Sequence, residues 1–154
     1  MTVQISTAFK TRLLAGEGFA SLFDQGCVRI YSGLPPATAD AAVQGTLLAT
    51  MTLDGQPWLP NGSDGGLIFQ QFGAWMAKPD AAVWRINVTA SGVAGWFRLV
   101  GPALDDGGVS NVSPRTDGVV SNDSAADFYL VNPVLTAGQV LAVQQFSFTF
   151  PPVA

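Results

Sequence analysis

Val83-Trp84-Arg85-Ile86-Asn87-Val88-Thr89-Ala90-Ser91-Gly92-Val93-Ala94-Gly95-Trp96-Phe97-Arg98-Leu99-Val100 consists of two apolar-rich runs on either side of Ser91-Gly92. Ser-Gly suits a two-residue turn, because glycine takes a positive φ without steric cost. Pairing Ala90 with Val93 sets Trp84, Ile86 and Val88 opposite Leu99, Phe97 and Gly95 on one apolar face. Arg85 and Asn87 then lie opposite Arg98 and Trp96 on the other. A slip of one residue would mix the two faces. The stretch therefore predicts a β-hairpin.

On its N-terminal side the signal stays extended as far back as Gly26. Cys27–Tyr31, Thr46–Leu53 and the short Leu67–Phe72 read as strands. The first two are separated by Ser32–Asp40, where Pro35 and Pro36 lack ladder donors and favour a loop. Asp54-Gly55 is a turn pair, and Gln56–Gly66 reads as a surface loop. Before Gly26 the spacing is helical: Ile5, Phe9 and Leu13 fall at i, i+4 and i+8, with Ser6 or Thr7 able to cap the start and Gly16 the end. A second turn, Phe19–Phe23, would close near Gly26 in the same way.

On the C-terminal side, Gly101–Ser124 reads as loop, with Asp105-Asp106-Gly107-Gly108 and Asp117-Gly118 as turns. Phe128–Val131 is a strand, and another follows Ala137-Gly138. In that last strand Leu141 and Val143 share one parity and Phe146, Phe148 and Phe150 the other, so either a bulge near Gln144-Gln145 or burial of both faces is expected. Pro151-Pro152 ends it. Roughly seven or eight short strands between Gly/Pro turns predict an all-β, β-sandwich or jelly-roll-like domain over 27–154. A helical segment, 1–26, packs on the sheet or on a partner; a partly open barrel is the rival architecture.

Charged residues are 12% of the 154-residue chain and hydrophobic residues 48%, against an ordinary charged share of about 25%. A surface this poor in charge predicts extended contact with other proteins. The net charge of −4 and seven Lys and Arg give no basic footprint for nucleic acid. No run reaches the ~20 apolar residues of a membrane helix. Met1–Ser6 has no basic, apolar leader. Cys27 is the single cysteine, read as a buried inert thiol.

The chain has no histidine, which removes His-based triads and His-ligated zinc. No phosphate-cradling glycine loop is present, and no catalytic residue, cofactor or metal ligand is assigned. Asp105, Asp106, Asp117 and Asp123 have the oxygen donors for calcium without the ordered spacing of a calcium loop. Trp58 and Trp96 offer a candidate sugar platform, because aromatic faces stack on pyranose rings. Two turn aspartates would be needed for a glycoside hydrolase. The Asn-x-Ser/Thr triplets at Asn61, Asn87, Asn111 and Asn122 read as accidents of composition. Arg85 and Arg98, opposed in the hairpin, would repel unless they reach solvent or meet carboxylates of a neighbouring subunit.

Several phrases carry a resemblance: Val28–Ala42, Gly45-Thr46-Leu47-Leu48-Ala49-Thr50, Ala90–Leu99 and Ala137-Gly138-Gln139-Val140. Together they resemble small virion-associated proteins of tailed bacteriophages. The resemblance implies a non-enzymatic building block of the particle, assembled in the bacterial cytoplasm. A capsid decoration protein is the first expectation; a tail or baseplate component, or a host-glycan-binding module, is the alternative. Its partners would be the major capsid protein, neighbouring virion proteins and further copies of itself as dimer or trimer. The candidate interface comprises Arg85, Arg98, Trp96, Leu34, Pro35, Pro36, Phe9 and Leu13, with the N-terminal helix and the 32–45 loop as the reaching elements.

Overall fold

The computed structural model describes residues 3–149. Its elements are β1 (Gln4–Ile5), α1 (Thr7–Leu14), α2 (Phe19–Phe23), β2 (Cys27–Ser32), β3 (Leu47–Leu53), β4 (Gln70–Phe72), β5 (Trp75–Ala77), β6 (Trp84–Val88), β7 (Gly92–Val100), β8 (Arg115–Ser121), β9 (Phe128–Tyr129), β10 (Val134–Leu135), β11 (Val140–Val143) and β12 (Ser147–Thr149). The fold is all-β and sandwich-like, with two short helices. One sheet runs β1-β8-β7-β2-β3-β6-β11, with β9 beside β8 and β10 beside β7; a three-stranded sheet runs β12-β5-β4.

Side-chain alternation sorts the large sheet into two faces. Val28, Ile30, Ala49, Met51, Trp84, Ile86, Val88, Phe97 and Leu99 share one buried cluster. Phe9, Phe19, Leu22 and Phe23 of the helices close over it, with Leu67, Phe69, Phe128 and Phe146. The rings meet edge to face, as at Phe9–Phe23 (5.1 Å), Phe69–Trp84 (5.2 Å) and Phe128–Phe146 (5.3 Å), the geometry that the ring quadrupoles favour.

The expected hairpin does not form. β6 pairs with β3 and β11, while β7 pairs with β2, β8 and β10. Two strands, β3 and β2, therefore lie between the two arms. Thr89–Ser91 is an arch across their ends. Three strand spacings are about 14 Å in a flat sheet, as far as four fully extended residue steps can reach, so curl of the sheet at that end eases the closure of the arch. Two bulges at that end provide the curl. Tyr31 pairs with Leu47 where the register of β3 slips past Leu48, and Ser32 pairs with Ala94 where β7 slips past Gly95. The arch binds the first bulge directly: the Thr89 and Ala90 N–H groups both donate to the Leu48 carbonyl, at 2.8 and 3.1 Å. At the second, a Cβ on Gly95 would lie 1.9 Å from the Gly33 carbonyl oxygen, so only glycine fits there. The apolar faces were assigned correctly; the partners were not.

The helices follow their local signals. Ser6 Oγ accepts from the Phe9 N–H at 3.2 Å as the cap of α1, and Gly16 takes a φ of 98° just past its end. Gly26 does not end α2 as expected. Gln25 is the left-handed residue, at φ 68°, and Gly26 is needed because a Cβ there would lie 1.9 Å from the Val100 carbonyl oxygen. Helices and sheet share one core, so 3–26, the described part of the N-terminal segment, packs on the sheet.

The parity change near Gln144-Gln145 is neither a bulge nor a strand buried on both faces. The chain leaves the large sheet after Val143 and enters the small one at Ser147, carrying Phe146 into the core. Phe150, Pro151 and Pro152 lie outside the described residues. The strand placed at Leu67–Phe72 begins only at Gln70 and continues into a hairpin with β5.

Candidate functional site

The face of the large sheet opposite the apolar core carries the ionisable groups, and across β7 and β8 it is buried too. Strand register builds a row across it: Thr50 lies beside Arg29, Arg29 beside Arg98, Arg98 beside Asp117, and Asp117 beside Gln4. Arg98 binds Asp117 side-on through Nε (2.7 Å) and Nη2 (2.8 Å), both side chains fully buried. The Arg98 Nη2 also donates to the Ala41 carbonyl at 3.1 Å, while Nη1 is buried without a hydrogen-bond partner among the described residues. The guanidinium lies 5.4 Å from the centre of the Trp96 ring.

Arg115 forms the second pair. Its Nε and Nη2 reach Asp105 at 2.7 and 2.6 Å. Its Nη1 donates to the carbonyls of Ala39, Asp40 and Ala41 at 3.3–3.4 Å, and its Nη2 to Gly108 at 2.7 Å. One buried side chain thus ties β8 to the loops on both sides, near 39–41 and 105–108. Arg29 adds a 2.7 Å bond to the Asp105 carbonyl. A planar fork of donors lets arginine serve so many acceptors. Burial pushes the Asp105 carboxyl up, but Arg115 and the Gly107 N–H together hold it below its usual range. At Asp117 burial wins, and the carboxyl is pushed up despite Arg98.

These contacts revise the sequence-based site. Arg85 and Arg98 are not opposed: Arg85 lies beside Thr52 and Ala142 and makes a half-exposed 2.8 Å ion pair with Asp54. Arg98 does not reach solvent, because its side chain is fully buried against Asp117 of its own chain. Trp96 is fully buried, stacked on Tyr31 at 4.6 Å, with its indole N–H on the Gln44 carbonyl. It cannot form a sugar platform. Trp58 is half-buried, its indole N–H on the Gln25 carbonyl and Arg29 5.7 Å from its ring centre. Phe9 and Pro36 are buried, and Leu13 and Pro35 half-buried. Leu34, 78% exposed, and Arg85 are the candidate contacts left accessible.

The four candidate calcium aspartates are not gathered. Asp105 and Asp117 are taken by arginines, and Asp106 and Asp123 accept from the N–H groups of Gly108 and Ala125. Among the described residues no group of three or more His, Cys, Asp or Glu could hold a metal. Burial pushes the Cys27 thiol up to about 11, so it is no nucleophile at neutral pH. Among the described residues no helix is long and apolar enough to cross a membrane.

Sequence reasoning weighed Asp105 and Asp117 only as calcium donors and missed Arg115 and both arginine pairings, because it left β8 as loop. Arg115-Thr116-Asp117-Gly118 has no apolar alternation. Its outer positions carry the ion pairs, and its inner position Gly118 must be small, since a Cβ there would come within 2.5 Å of the Phe97 ring. The available signal was charge at alternate positions, Arg115 and Asp117, complementary to Arg98.

The accessible surface has a different chemistry. Leu14, Val109, Val131, Leu34 and Val112 are 78–88% exposed. Two open grooves cross it. One, about 730 Å³, lies between the helices and the 101–114 loop, with Leu104 and Val112 beside the Arg12–Glu17 pair at its rim. The other, about 800 Å³, runs between β11 and residues 126–132. No protein-family model, curated protein or solved structure matches the chain.

Proposed function

We propose that this is a non-enzymatic structural protein of a tailed-phage particle, acting through surface contacts with copies of itself and with neighbouring virion proteins. The observation that carries the reading is the exposure of Leu14, Leu34, Val109, Val112 and Val131 on a chain with only 12% charged residues. Large apolar side chains left in water on so uncharged a surface fit burial by a partner. The aspartates of the buried face are committed to arginines, and Asp54, Asp106 and Asp123 to a surface arginine or turn N–H groups, which argues against a hydrolytic acid pair. Capsid decoration is the specific role proposed, by analogy of size and all-β fold class with small proteins that oligomerise across capsomer junctions.

Quantitative mass spectrometry of purified particles tests this. A decoration protein is expected in hundreds of copies per particle. A few to a few dozen copies would reassign it to the tail or baseplate. Absence from the particle would end the virion reading.

A further inference from the structure

We infer that β11 is a docking edge for a second copy of this chain, which adds its own β11 antiparallel and joins two large sheets across a two-fold axis. The inference rests on the self-association in the function proposed above and gives it a place.

The geometry begins with the ladder. β11 ends the path of the large sheet, with β6 on one side only. Thr89 N–H bonds Leu48 on the β3 side, and Val88 N–H bonds Gln139 on the β11 side. Bonded pairs alternate along an antiparallel ladder, so Leu141 and Val143 turn their backbone groups to β6. Val140 and Ala142 turn theirs outward, where no strand of the described residues meets them. The outward groups of this edge open beside the 800 Å³ groove.

Apart from its shortness, the edge has none of the devices that keep edges apart. Val140-Leu141-Ala142-Val143 carries no charge, no proline and no bulge, where exposed edges are normally blunted by one of these. From Phe128 onward the sequence contains no Asp, Glu, Lys or Arg at all. Asp127 is the one carboxylate on the groove wall, and it is bound to the Val119 N–H. A charged occupant would lose hydration without finding a counterion, so the match is to an uncharged extended strand. β11 is such a strand, and it is self-complementary. With Leu141 on the two-fold axis, Val140 of each copy pairs with Ala142 of the other and all four outward residues are satisfied. Four residues span only about 13 Å, short of the ~800 Å² per partner of a standard interface. Tyr129 and Val131, 51% and 80% exposed on the opposite lip, supply further apolar area.

Sedimentation equilibrium of the full chain, with Ala142→Lys beside it, tests the edge. Twice the monomer mass for the wild type and the monomer mass for Ala142→Lys, with an unchanged far-UV circular dichroism spectrum, are expected. A Leu141→Cys variant should cross-link to a covalent dimer on mild oxidation, with Cys27 silent in the core, whereas Val109→Cys should not. A wild type that stays monomeric at every concentration, or an oligomer indifferent to both Ala142→Lys and Leu141→Cys, would overturn the edge. In either case the copy number in the particle still judges the virion role separately.

Discussion

Around β7 and β8 the two faces of the large sheet are both buried and are held by opposite physics. On one, Val28, Ile30, Met51, Trp84, Ile86, Phe97 and Leu99 pack against helices and aromatic rings. Their stabilisation is area removed from water, and many neighbours can substitute for one another. On the other, Arg98 and Arg115 lie with Asp117 and Asp105 beneath the 37–44 and 102–110 segments. There the attraction must first offset the cost of taking charges out of water, so the net gain is small and each partner is indispensable to the other. The apolar face makes the domain stable; the ionic face decides where the loops lie.

Truncation at each face separates these roles. Phe97→Ala and Arg115→Ala should each cost about 3–5 kcal/mol in denaturant unfolding. Hydrogen exchange should tell them apart. Arg115→Ala strands the carbonyls of 39–41 and 108 and should speed exchange in both loops well below the global unfolding limit. Phe97→Ala should lower protection throughout the sheet instead. Loops that stay protected in Arg115→Ala would refute the assignment of Arg115 as their anchor.

The Arg98–Asp117 pair sharpens the point at a smaller scale. Arg98→Met leaves Asp117 buried without its cation and should lose about 3 kcal/mol at neutral pH. Asp117 already has its carboxyl pushed up by burial, and loss of the cation raises it further. A raised folded-state pKa favours the fold while the group is protonated, and that contribution is lost as pH rises through the folded value. The deficit of Arg98→Met should therefore shrink on acidification. The wild-type Asp105 runs the other way: held low by Arg115, it stabilises above its unfolded pKa and loses that stabilisation as pH falls. Melting temperatures across the acid range distinguish the two signs. The double variant Arg98→Met/Asp117→Leu should recover most of the loss at all pH values, since two apolar groups of similar size need no pairing.

The smallest effect belongs to the surface. Arg85–Asp54 is half-exposed, and Arg85→Ala should change stability by no more than ~1 kcal/mol, less in high salt.

Much of the apolar face was legible from sequence, and little of the ionic one. β2, β3, β6 and β7 announce themselves by alternation, and α1 by Ser6 and its spacing. β8 does not, because a strand whose outer positions hold Arg115 and Asp117 and whose inner position is Gly118 looks like a turn. Trp96 and Arg98 were read as surface residues because they lie opposite the apolar face, and single-strand alternation cannot show that loops cover that side as well.

What the amino-acid sequence determined alone is therefore local: which apolar stretches extend, which face of each is apolar, and where α1 starts and ends. Tertiary structure alone decided who stands beside whom. Backbone hydrogen bonds are the same for every pair of strands, so nothing in 83–100 distinguishes a tight hairpin from an arch over β3 and β2. The choice falls to the bulges at Leu48 and Gly95 and to the meeting of Arg98 with Asp117, contacts between residues far apart in the chain.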